Sequence, residues 1–500
     1  MNRTTKINYL LWGILISLVV LRFFHLGNDV DNPHAWRQYD TKQYIEGYYY
    51  DNADFLEPTV CWMGQHKTLL LEFPLPEYAV AQLFKIFGPN LIVARLFFLT
   101  FFVLALLYFY KSLRILFNNK IPELATLFAG IVPLSLFYSR AIHIDFFAIS
   151  FAMAMLYFAM KAIREKHFYS LLISVACGTI GLLTKAPYTF YLALPILYFA
   201  YAEGRMKWFL SRAPLYLIAV FSLFMWIQYS KSVNAKIPDW QFIPNFNKFT
   251  DMSYWYFGTM QQRYVLENWS LLGERIYTEI LGAIGAIIGL VGVLFYRKSD
   301  AYKWSWFLLL GTVIYVCIFF NLNIKHNYYQ LPFTFPLAVF MAMGTHWISN
   351  RLANNKRSGN VLTLIISGLI IFQSFQFAET NYYSVHRESK KVAAEIKQFS
   401  SRDDGIIVCY GGLTPQCPLI LQEAQRYGWS IPIKDFTPEI AYQLYKDAGA
   451  TKLAIYQYGY FPEGAMRSFY EYMTVKKSVQ ITEDGMVLYM CELDISPRNE

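Results

Sequence analysis

Charged residues are scarce in this sequence. Only 16% of its 500 residues are Asp, Glu, Lys or Arg, whereas 55% are hydrophobic and 19% are aromatic. Soluble domains carry roughly 25% charged residues, so a chain of this length lacks the polar surface that water would require. The composition excludes an ordinary soluble enzyme and indicates a protein that lipid surrounds over much of its length.

Cysteine is also scarce, and the sequence has no internal repeat or low-complexity tract. Six cysteines occur in 500 residues, none of them in a Cys-x-x-Cys pair, which excludes a disulfide scaffold and a zinc ribbon. The net charge of +9 would suit nucleic-acid binding. However, the excess positive charge falls in short connections between apolar runs, so we expect no nucleic-acid partner.

Apolar runs long enough to cross a bilayer recur along the chain, since a span requires about 20 mostly apolar residues. The first run is long, lacks a small-x-small cleavage site and is followed by further runs, so we expect it to be retained. The predicted fold is a polytopic α-helical membrane protein with about eleven spans. They lie near residues 8–26, 91–110, 122–139, 144–160, 168–184, 188–202, 213–228, 276–296, 304–320, 331–349 and 360–377.

Positive charge is distributed unevenly over the connections. If the N-terminus is cytoplasmic, the cytoplasmic connections carry 17 Lys and Arg residues, whereas the short outside connections carry only Arg140, Lys185 and Lys325. This asymmetry predicts a multi-pass protein of the plasma (inner) membrane with an extracytoplasmic C-terminus. Two long connections then lie outside: 27–90, with nine acidic and four basic residues, and 229–274, rich in aromatics.

The C-terminal segment differs in composition from the rest. We expect a membrane domain over 1–378 and a small extracytoplasmic α/β domain over 379–500, because short apolar strands alternate there with helical patterns. Cys409 and Cys417 are expected either to form a disulfide or to be two buried thiols. The predicted strands lie near 405–409, 452–456 and 485–491, and the predicted helices near 387–399, 416–427, 437–447 and 463–472.

Asp40 lies close after the first span, in a segment that reads His34-Ala-Trp-Arg-Gln-Tyr-Asp-Thr41. The segment predicts a helix along the membrane interface with Tyr44 and Tyr48 on one face. A carboxylate beside Arg37 near the bilayer can take a proton from a hydroxyl or hold a cation. The alternative is that Asp40 caps the N-terminus of this helix, with Arg37 on a lipid phosphate.

Further polar groups fall at predicted span ends on the same side. Glu72 and Glu77 precede or open a short helix that is predicted from Tyr78 to Phe87, and taken alone they are first-turn acids. Three short turns carry the rest: 139–145, 184–187 and 325–332. Each of these turns can simply anchor its span at the headgroup level. Asp145 needs a partner because it enters a span, and Arg140, His143 or Lys185 can supply one.

Together these residues predict one extracytoplasmic site that combines carboxylates and cations. Such a mixture suits a reaction in which an acceptor hydroxyl loses a proton while a lipid phosphate departs. The predicted catalytic residues are Asp40, Asp145 and Glu72. The residues predicted to bind the substrate and the lipid phosphate are Arg37, Lys67, Arg140, His143, Lys185, His326 and Tyr329.

Four blocks of residues resemble the GT-C superfamily of polyprenyl-phosphate-sugar-dependent glycosyltransferases. Within it, the sequence looks like the branch related to protein O-mannosyltransferases and the lipid A aminoarabinose transferase. The resemblance covers roughly residues 8–350. Its blocks are His34-x-Trp36-Arg37-Gln38-x-Asp40-Thr41 with Tyr44; Glu72-Phe73-Pro74-Leu75 leading to Phe87-Gly88 and Ala94-Arg95-Leu96; Leu183-Thr184-Lys185-x-Pro187; and His326-x-Tyr328-Tyr329-Gln330-Leu331-Pro332.

The resemblance implies an inverting hexosyl- or pentosyltransferase that takes its sugar from a polyprenyl-phosphate donor. Asp40 would be the general base, and Lys185 and the His326 segment would face the donor phosphate. Many relatives carry Asp-Glu where this chain has Asp40-Thr41, so no metal site is predicted and a divalent cation is left open as a cofactor. The loop 229–274 is too short for the β-trefoil insert of protein mannosyltransferases, which favours a glycan or lipid acceptor over a protein.

Three other functions are compatible with many spans. A lipid-linked sugar flippase or other transporter usually keeps ionisable residues at mid-membrane, whereas the charges here lie at span ends. An O-antigen-type polymerase is expected to have arginine-rich outside loops, whereas the connection 27–90 is acidic on balance. A purely structural scaffold would leave the polar span ends without a purpose. The charge distribution therefore favours the glycosyltransferase.

Overall fold

The computed structural model describes residues 9–239, 243–296, 299–411, 416–458 and 473–493. Its contacts divide the chain into two compact units. The helical unit comprises Met1–Asp29, Pro89–Gln228 and Asp251–Ser384. The sheet unit comprises Val30–Gly88, Tyr229–Thr250 and Val385–Glu500, and so contains parts of both long connections besides the C-terminal segment. The domain division at residue 378 stays a prediction.

Eight helices of the described chain are long and apolar enough to cross a membrane, which confirms a polytopic α-helical membrane protein. The other three predicted spans coincide with shorter helices, and the count of eleven stays a prediction. In the run 122–139 the helix is interrupted at Val132, because Pro133 has no N–H to continue it. The eight are Leu91–Leu116, Asp145–Glu165, Phe168–Lys185, Ala213–Asn234, Leu266–Phe295, Asp300–Ile318, Asn327–Leu352 and Lys356–Asn381.

Shorter helices complete both units. Those outside the sheet unit are Tyr9–Arg22, Ile121–Ile131, Pro133–Tyr138, Pro187–Phe190, Ala193–Ala202, Met206–Leu210, Ser253–Phe257, Met260–Tyr264 and Phe320–Lys325. Those of the sheet unit are Ala35–Tyr50, Leu75–Phe87, Arg387–Phe399, Leu419–Ala424 and Pro438–Ala448.

Two helices of the helical unit approach each other at backbone distance. They are Gly282–Phe295 and Leu331–Leu352. A Cβ on Gly344 would lie 1.9 Å from the carbonyl oxygen of Ile288, and a Cβ on Gly292 would lie 2.0 Å from a backbone oxygen of the facing helix. Small residues permit such close packing in membranes, where van der Waals contact replaces the hydrophobic effect between helices.

We therefore expect Gly344→Ala to destabilise the protein strongly. The new methyl group meets a backbone oxygen that no side-chain rotation can move, so the helices must separate, at a cost of about 3 kcal/mol or more. Gly368→Ala is the matched control, since a Cβ there would meet no atom within 4 Å. Thermal unfolding in detergent measures the difference, and equal melting temperatures for the two variants would contradict the packing described.

The C-terminal sheet has five strands among the described residues, in the order β2-β1-β3-β5-β4. β1 pairs parallel with β2 and with β3, whereas β5 pairs antiparallel with β3 and with β4. Helices Arg387–Phe399 and Pro438–Ala448 complete an α/β domain, as predicted. The strands are β1 Gly405–Tyr410, β2 Gly428–Pro432, β3 Ala450–Tyr458, β4 Met473–Gln480 and β5 Met486–Leu493.

The predicted strands correspond to β1, β3 and β5, and the sequence analysis missed the other two. β2 has only five residues, and the largely exposed edge strand β4 carries two lysines, so neither gives an apolar run. The helix predicted near 416–427 is shorter, at Leu419–Ala424, and the one predicted near 463–472 lies outside the described residues. Cys409 and Cys417 are both buried free thiols, the second of the two alternatives.

Candidate active site

Asp40 lies inside a helix of the sheet unit. The helix Ala35–Tyr50 begins after His34, so Asp40 stands in its second turn, and the alternative of an N-cap aspartate is wrong. Tyr44 and Tyr48 share one helix face, as predicted. Both rings are buried, and each hydroxyl donates a hydrogen bond of 2.7 Å to a backbone carbonyl of the sheet unit. These bonds fix the rotation of the helix that carries Asp40.

Two side chains contact the carboxylate of Asp40. Gln43 donates from Nε2 to Oδ1 at 3.1 Å, and Arg37 Nη1 lies 3.7 Å from Oδ2. The backbone N–H of Cys61 donates to Oε1 of Gln43 at 3.1 Å, which orients the amide with its NH₂ group toward Asp40. Arg37 also pairs with Glu72 at 2.9 Å. The side chain of Asp40 remains 16% exposed.

The protonation of Asp40 responds to these neighbours. Burial raises the pKa of Asp40 to about 7, the positive charge of Arg37 lowers it, and the negative charge of Glu72 raises it. A general base works best when its pKa lies near the working pH, because it is then ionised and still accepts a proton readily. Asp40 therefore has the environment of a base at neutral pH.

The described residues contain no group of three or more His, Cys, Asp or Glu side chains that is arranged to hold a metal ion. Thr41 stands where the resemblance leads us to expect a second acid, and its hydroxyl donates to the carbonyl oxygen of Arg37 at 3.4 Å. The carboxylates of Asp40 and Glu72 both face the guanidinium of Arg37. This positive charge disfavours a metal ion between them. The involvement of a divalent cation stays untested.

A second group of ionisable residues is buried in the helical unit. Asp145 is the first residue of the helix Asp145–Glu165, and Lys185 is the last residue of Phe168–Lys185. Lys185 Nζ donates to Oδ1 of Asp145, and Nδ1 of His143 lies 2.9 Å from Oδ2. The three side chains are at most 2% exposed. Asp145 thus has two of its three predicted partners.

The turn 326–329 encloses Lys185 from another side. Lys185 Nζ lies 4.5 Å from the ring centroid of Tyr328 and 4.6 Å from that of Tyr329, within the range of cation–π attraction. The ring of His326 stacks on Tyr328 at 5.0 Å between centroids. Side chains from the three predicted outside turns therefore meet within the helical unit.

Two of the basic residues that were predicted to bind the phosphate, Arg140 and Lys67, contact other aromatic rings. Arg140 donates to the carbonyl oxygen of His25 at 3.1 Å, and its guanidinium lies 4.6 Å from the ring of Tyr383. Lys67, in the sheet unit, lies 3.8 Å from the ring of Tyr427. The convergence of Asp40 with Asp145, Lys185 and His326 joins residues of both units, and it stays a prediction.

Sequence reasoning missed a hydrogen-bond network around Glu279. Its Oε2 accepts from Asn327 Nδ2 and from the hydroxyl of Tyr382, both at 2.6 Å, and Asn327 Oδ1 accepts from Tyr138 at 2.6 Å. The network fixes the turn that precedes Tyr328. The sequence does contain a signal for this network, because Glu279 is the one acidic residue in the apolar run 276–296. It also lies in a five-residue π-helical segment, a feature that is frequent at functional sites.

Comparison with known proteins gives a match to one family model over about a third of the chain, and a likeness of fold. The family model of dolichyl-phosphate-mannose-protein mannosyltransferase matches residues 72–229. No curated protein sequence matches the chain. The structure of ArnT from Cupriavidus metallidurans bound to undecaprenyl phosphate is similar, with a TM-score of 0.60, 12% identity and coverage of 97% of this chain and 98% of that chain.

Two further solved structures share the fold. The Archaeoglobus fulgidus oligosaccharyltransferase, in complex with zinc and sulfate, has a TM-score of 0.55 at 12% identity and covers 89% of this chain and 67% of that one. The arabinofuranosyltransferase AftD from Mycobacteria has a TM-score of 0.53 at 12% identity and covers 98% of this chain and 40% of that one. The chain therefore has the fold of these membrane proteins. The resemblance to the GT-C superfamily that its sequence predicts is confirmed.

Proposed function

We propose that this protein is a membrane glycosyltransferase that moves one sugar from a polyprenyl-phosphate donor to a glycan or lipid on the extracytoplasmic face. The matching family model describes an enzyme that uses dolichyl-phosphate mannose, and ArnT was solved with undecaprenyl phosphate. Both relatives point to a lipid phosphate as the carrier of the sugar. A flippase or a polymerase has no comparable support from the site.

The observation that carries the proposal is the environment of Asp40. Its carboxylate is partly exposed, is held in orientation by Gln43, and has a pKa raised to about 7 by burial. In the proposed step Asp40 takes the proton of an acceptor hydroxyl, whose oxygen bonds to C1 of the donor sugar. The bond from C1 to the phosphate oxygen breaks, and polyprenyl phosphate departs. Attack opposite the leaving group inverts the configuration at C1.

Lys185 is the proposed partner of the leaving phosphate, with His326 and Tyr329 beside it. A buried cation stabilises negative charge that develops on a leaving group far better than an exposed one does. One oxygen of Asp145 faces Lys185 and the other faces the ring of His143, so we assign to Asp145 and His143 the positioning of Lys185 rather than proton transfer. Glu72 raises the pKa of Asp40 and pairs with Arg37. Donor binding by Lys67 and Arg140 stays a prediction, because both contact aromatic rings away from these groups.

The topology belongs to the same proposal. The distribution of Lys and Arg supports a cytoplasmic N-terminus in the inner membrane and an extracytoplasmic C-terminus. The donor would then be used on the side where lipid-linked sugars meet surface glycans.

Reconstitution tests the proposal. Purified protein in proteoliposomes receives radiolabelled polyprenyl-phosphate sugars or the matching nucleotide sugars, with membranes of a deletion strain as a source of unmodified acceptor. We expect label to pass to the acceptor from the lipid donor alone, with release of polyprenyl phosphate. Use of nucleotide sugars, or movement of the lipid-linked sugar across the membrane with its bond intact, would contradict the proposal. Mass spectrometry of surface glycans from the same strain identifies the sugar that is lost.

A further inference from the structure

A cavity of about 160 Å³ lies within the sheet unit. The helix Ala35–Tyr50 and residues 59–61 form one wall, and residues 402 and 421–427 of the C-terminal segment form the other. A water molecule needs about 10–15 Å³ on the same measure, so the cavity has room for roughly ten non-hydrogen atoms. One sugar ring has this size.

The charges that line the cavity cancel. Two carboxylates, Glu46 and Asp51, stand against two guanidinium groups, Arg402 and Arg426. A neutral balance disfavours a phosphate or another anion, which would require an excess of cations. The amides of Gln43, Gln422 and Gln425 and the phenol rings of Tyr50 and Tyr427 complete the lining. Side chains that both donate and accept, next to aromatic rings, suit an uncharged ligand with many hydroxyl groups.

Hydrogen bonds fix much of this wall in place. Arg426 donates from Nη2 to the carbonyl oxygen of Lys397 at 2.7 Å, and Gln422 Nε2 donates to Glu46 at 2.6 Å. Asp51 accepts from both Tyr427 and Arg402. A cavity whose polar groups are already oriented loses little entropy when a ligand enters it.

Gln43 joins the cavity to the proposed base. Its side chain lines the cavity, and its Nε2 lies 3.1 Å from Oδ1 of Asp40. A ligand in the cavity is therefore separated from the Asp40 carboxylate by one amide group. Such a neighbouring position suits a sugar unit that is next to the reacting one in the same chain.

We propose that this cavity binds a non-reacting sugar unit of a glycan acceptor, and that the C-terminal domain thereby selects the acceptor. The role in acceptor selection rests on the proposed function, whereas saccharide binding in the cavity does not. The proposal gives the C-terminal domain a part in substrate recognition in addition to its contacts with the helix of Asp40.

Saturation-transfer difference NMR on the full-length protein in nanodiscs tests the proposal. The probes are the methyl glycosides of glucose, galactose, mannose, N-acetylglucosamine and arabinose. We expect at least one to bind, and inorganic phosphate not to compete with it. Arg402→Gln should weaken that binding about tenfold, since a charge-assisted hydrogen bond is lost. Tyr50→Ala should weaken it as well, and this ring is 39% exposed, so its removal costs the fold little.

Two matched variants serve as controls. Lys477→Gln removes another half-exposed cation of the sheet unit, paired with Glu395 at 2.7 Å, and Tyr49→Ala removes the ring next to Tyr50. Both should bind the glycoside as the wild type does. No binding by any probe, or equal binding by Arg402→Gln, Tyr50→Ala and wild type, would overturn the proposal.

The assay also separates the two proposals, because it contains no donor. Asp40→Asn should bind the glycoside normally. Saccharide binding without any transfer by the wild type would contradict the proposed function alone. Transfer without saccharide binding would contradict the assignment of the cavity alone.

Discussion

Asp40→Asn should abolish sugar transfer while leaving the protein folded in the membrane. Asparagine has almost the same shape but cannot accept a proton, so the acceptor hydroxyl attacks without a base. Loss of a general base lowers rates by about 10²–10⁴-fold. The measurement is the initial rate of transfer from the lipid donor in proteoliposomes, with donor and acceptor both saturating.

Stability provides the control for this variant. Burial raises the pKa of Asp40, which means that the fold disfavours the charged form, so a neutral amide should leave the melting temperature unchanged or raise it. Glu57→Gln, at an exposed position of the same segment, should keep the wild-type rate. A folded Asp40→Asn protein that retains near wild-type transfer would show that Asp40 is not the base.

Lys185→Met should have the second large effect, on donor use and on the fold together. Its ammonium is 2% exposed and pairs with Asp145, which is fully buried. Removal of one partner from a buried ion pair costs about 3–5 kcal/mol, because the other charge stays behind. The single variant is therefore expected to unfold at a lower temperature as well as to lose transfer.

A double variant separates these two effects. Asp145→Asn combined with Lys185→Met removes both charges, which is much less costly than the removal of one. We expect this protein to recover most of the lost stability but to need far more donor, with little change in the KM for the acceptor. A wild-type KM for the donor in the double variant would remove Lys185 from the phosphate site.

Local patterns were sufficient to predict eight of the membrane-spanning helices, three strands of the C-terminal domain and the residues that supply the buried cluster of the helical unit. The apolar runs follow from the thickness of the bilayer, and Asp145 at a span end requires a cation whatever the tertiary fold. The choice between His143, Lys185 and Arg140 as its partner depended on packing. Only the structure gave the cation–π contacts with Tyr328.

Contacts of the helix Ala35–Tyr50 with distant parts of the chain could not be predicted. Gln43 orients Asp40 because Cys61, 18 residues away, fixes its amide. Glu423, in the C-terminal segment, accepts a hydrogen bond of 2.8 Å from Tyr39 and lies 3.5 Å from Lys42. Sequence periodicity does not predict such pairs, because only the tertiary fold brings the two residues of each pair together.

One block of the resemblance has a structural explanation. Arg95 is fully buried in the helical unit and donates to the backbone carbonyl oxygens of Leu26 and Asp29, both at 2.8 Å. Leu26 is the C-cap of the short helix that ends the first helical segment, and Asp29 follows it by three residues. Carbonyl oxygens at a helix end have no partner within the helix. The Ala94-Arg95-Leu96 block therefore fixes the exit of the first span.

The pH dependence of transfer tests the central claim, that the Asp40 carboxylate is the base. Because the base must be ionised, the rate should rise with pH, pass its midpoint near the Asp40 pKa of about 7 and then level off. Glu72→Gln removes a charge that raises this pKa, so it should move the midpoint to lower pH. Arg37→Gln should move it to higher pH. A rate that is flat between about pH 5 and 9, or a midpoint that neither variant moves, would contradict the claim.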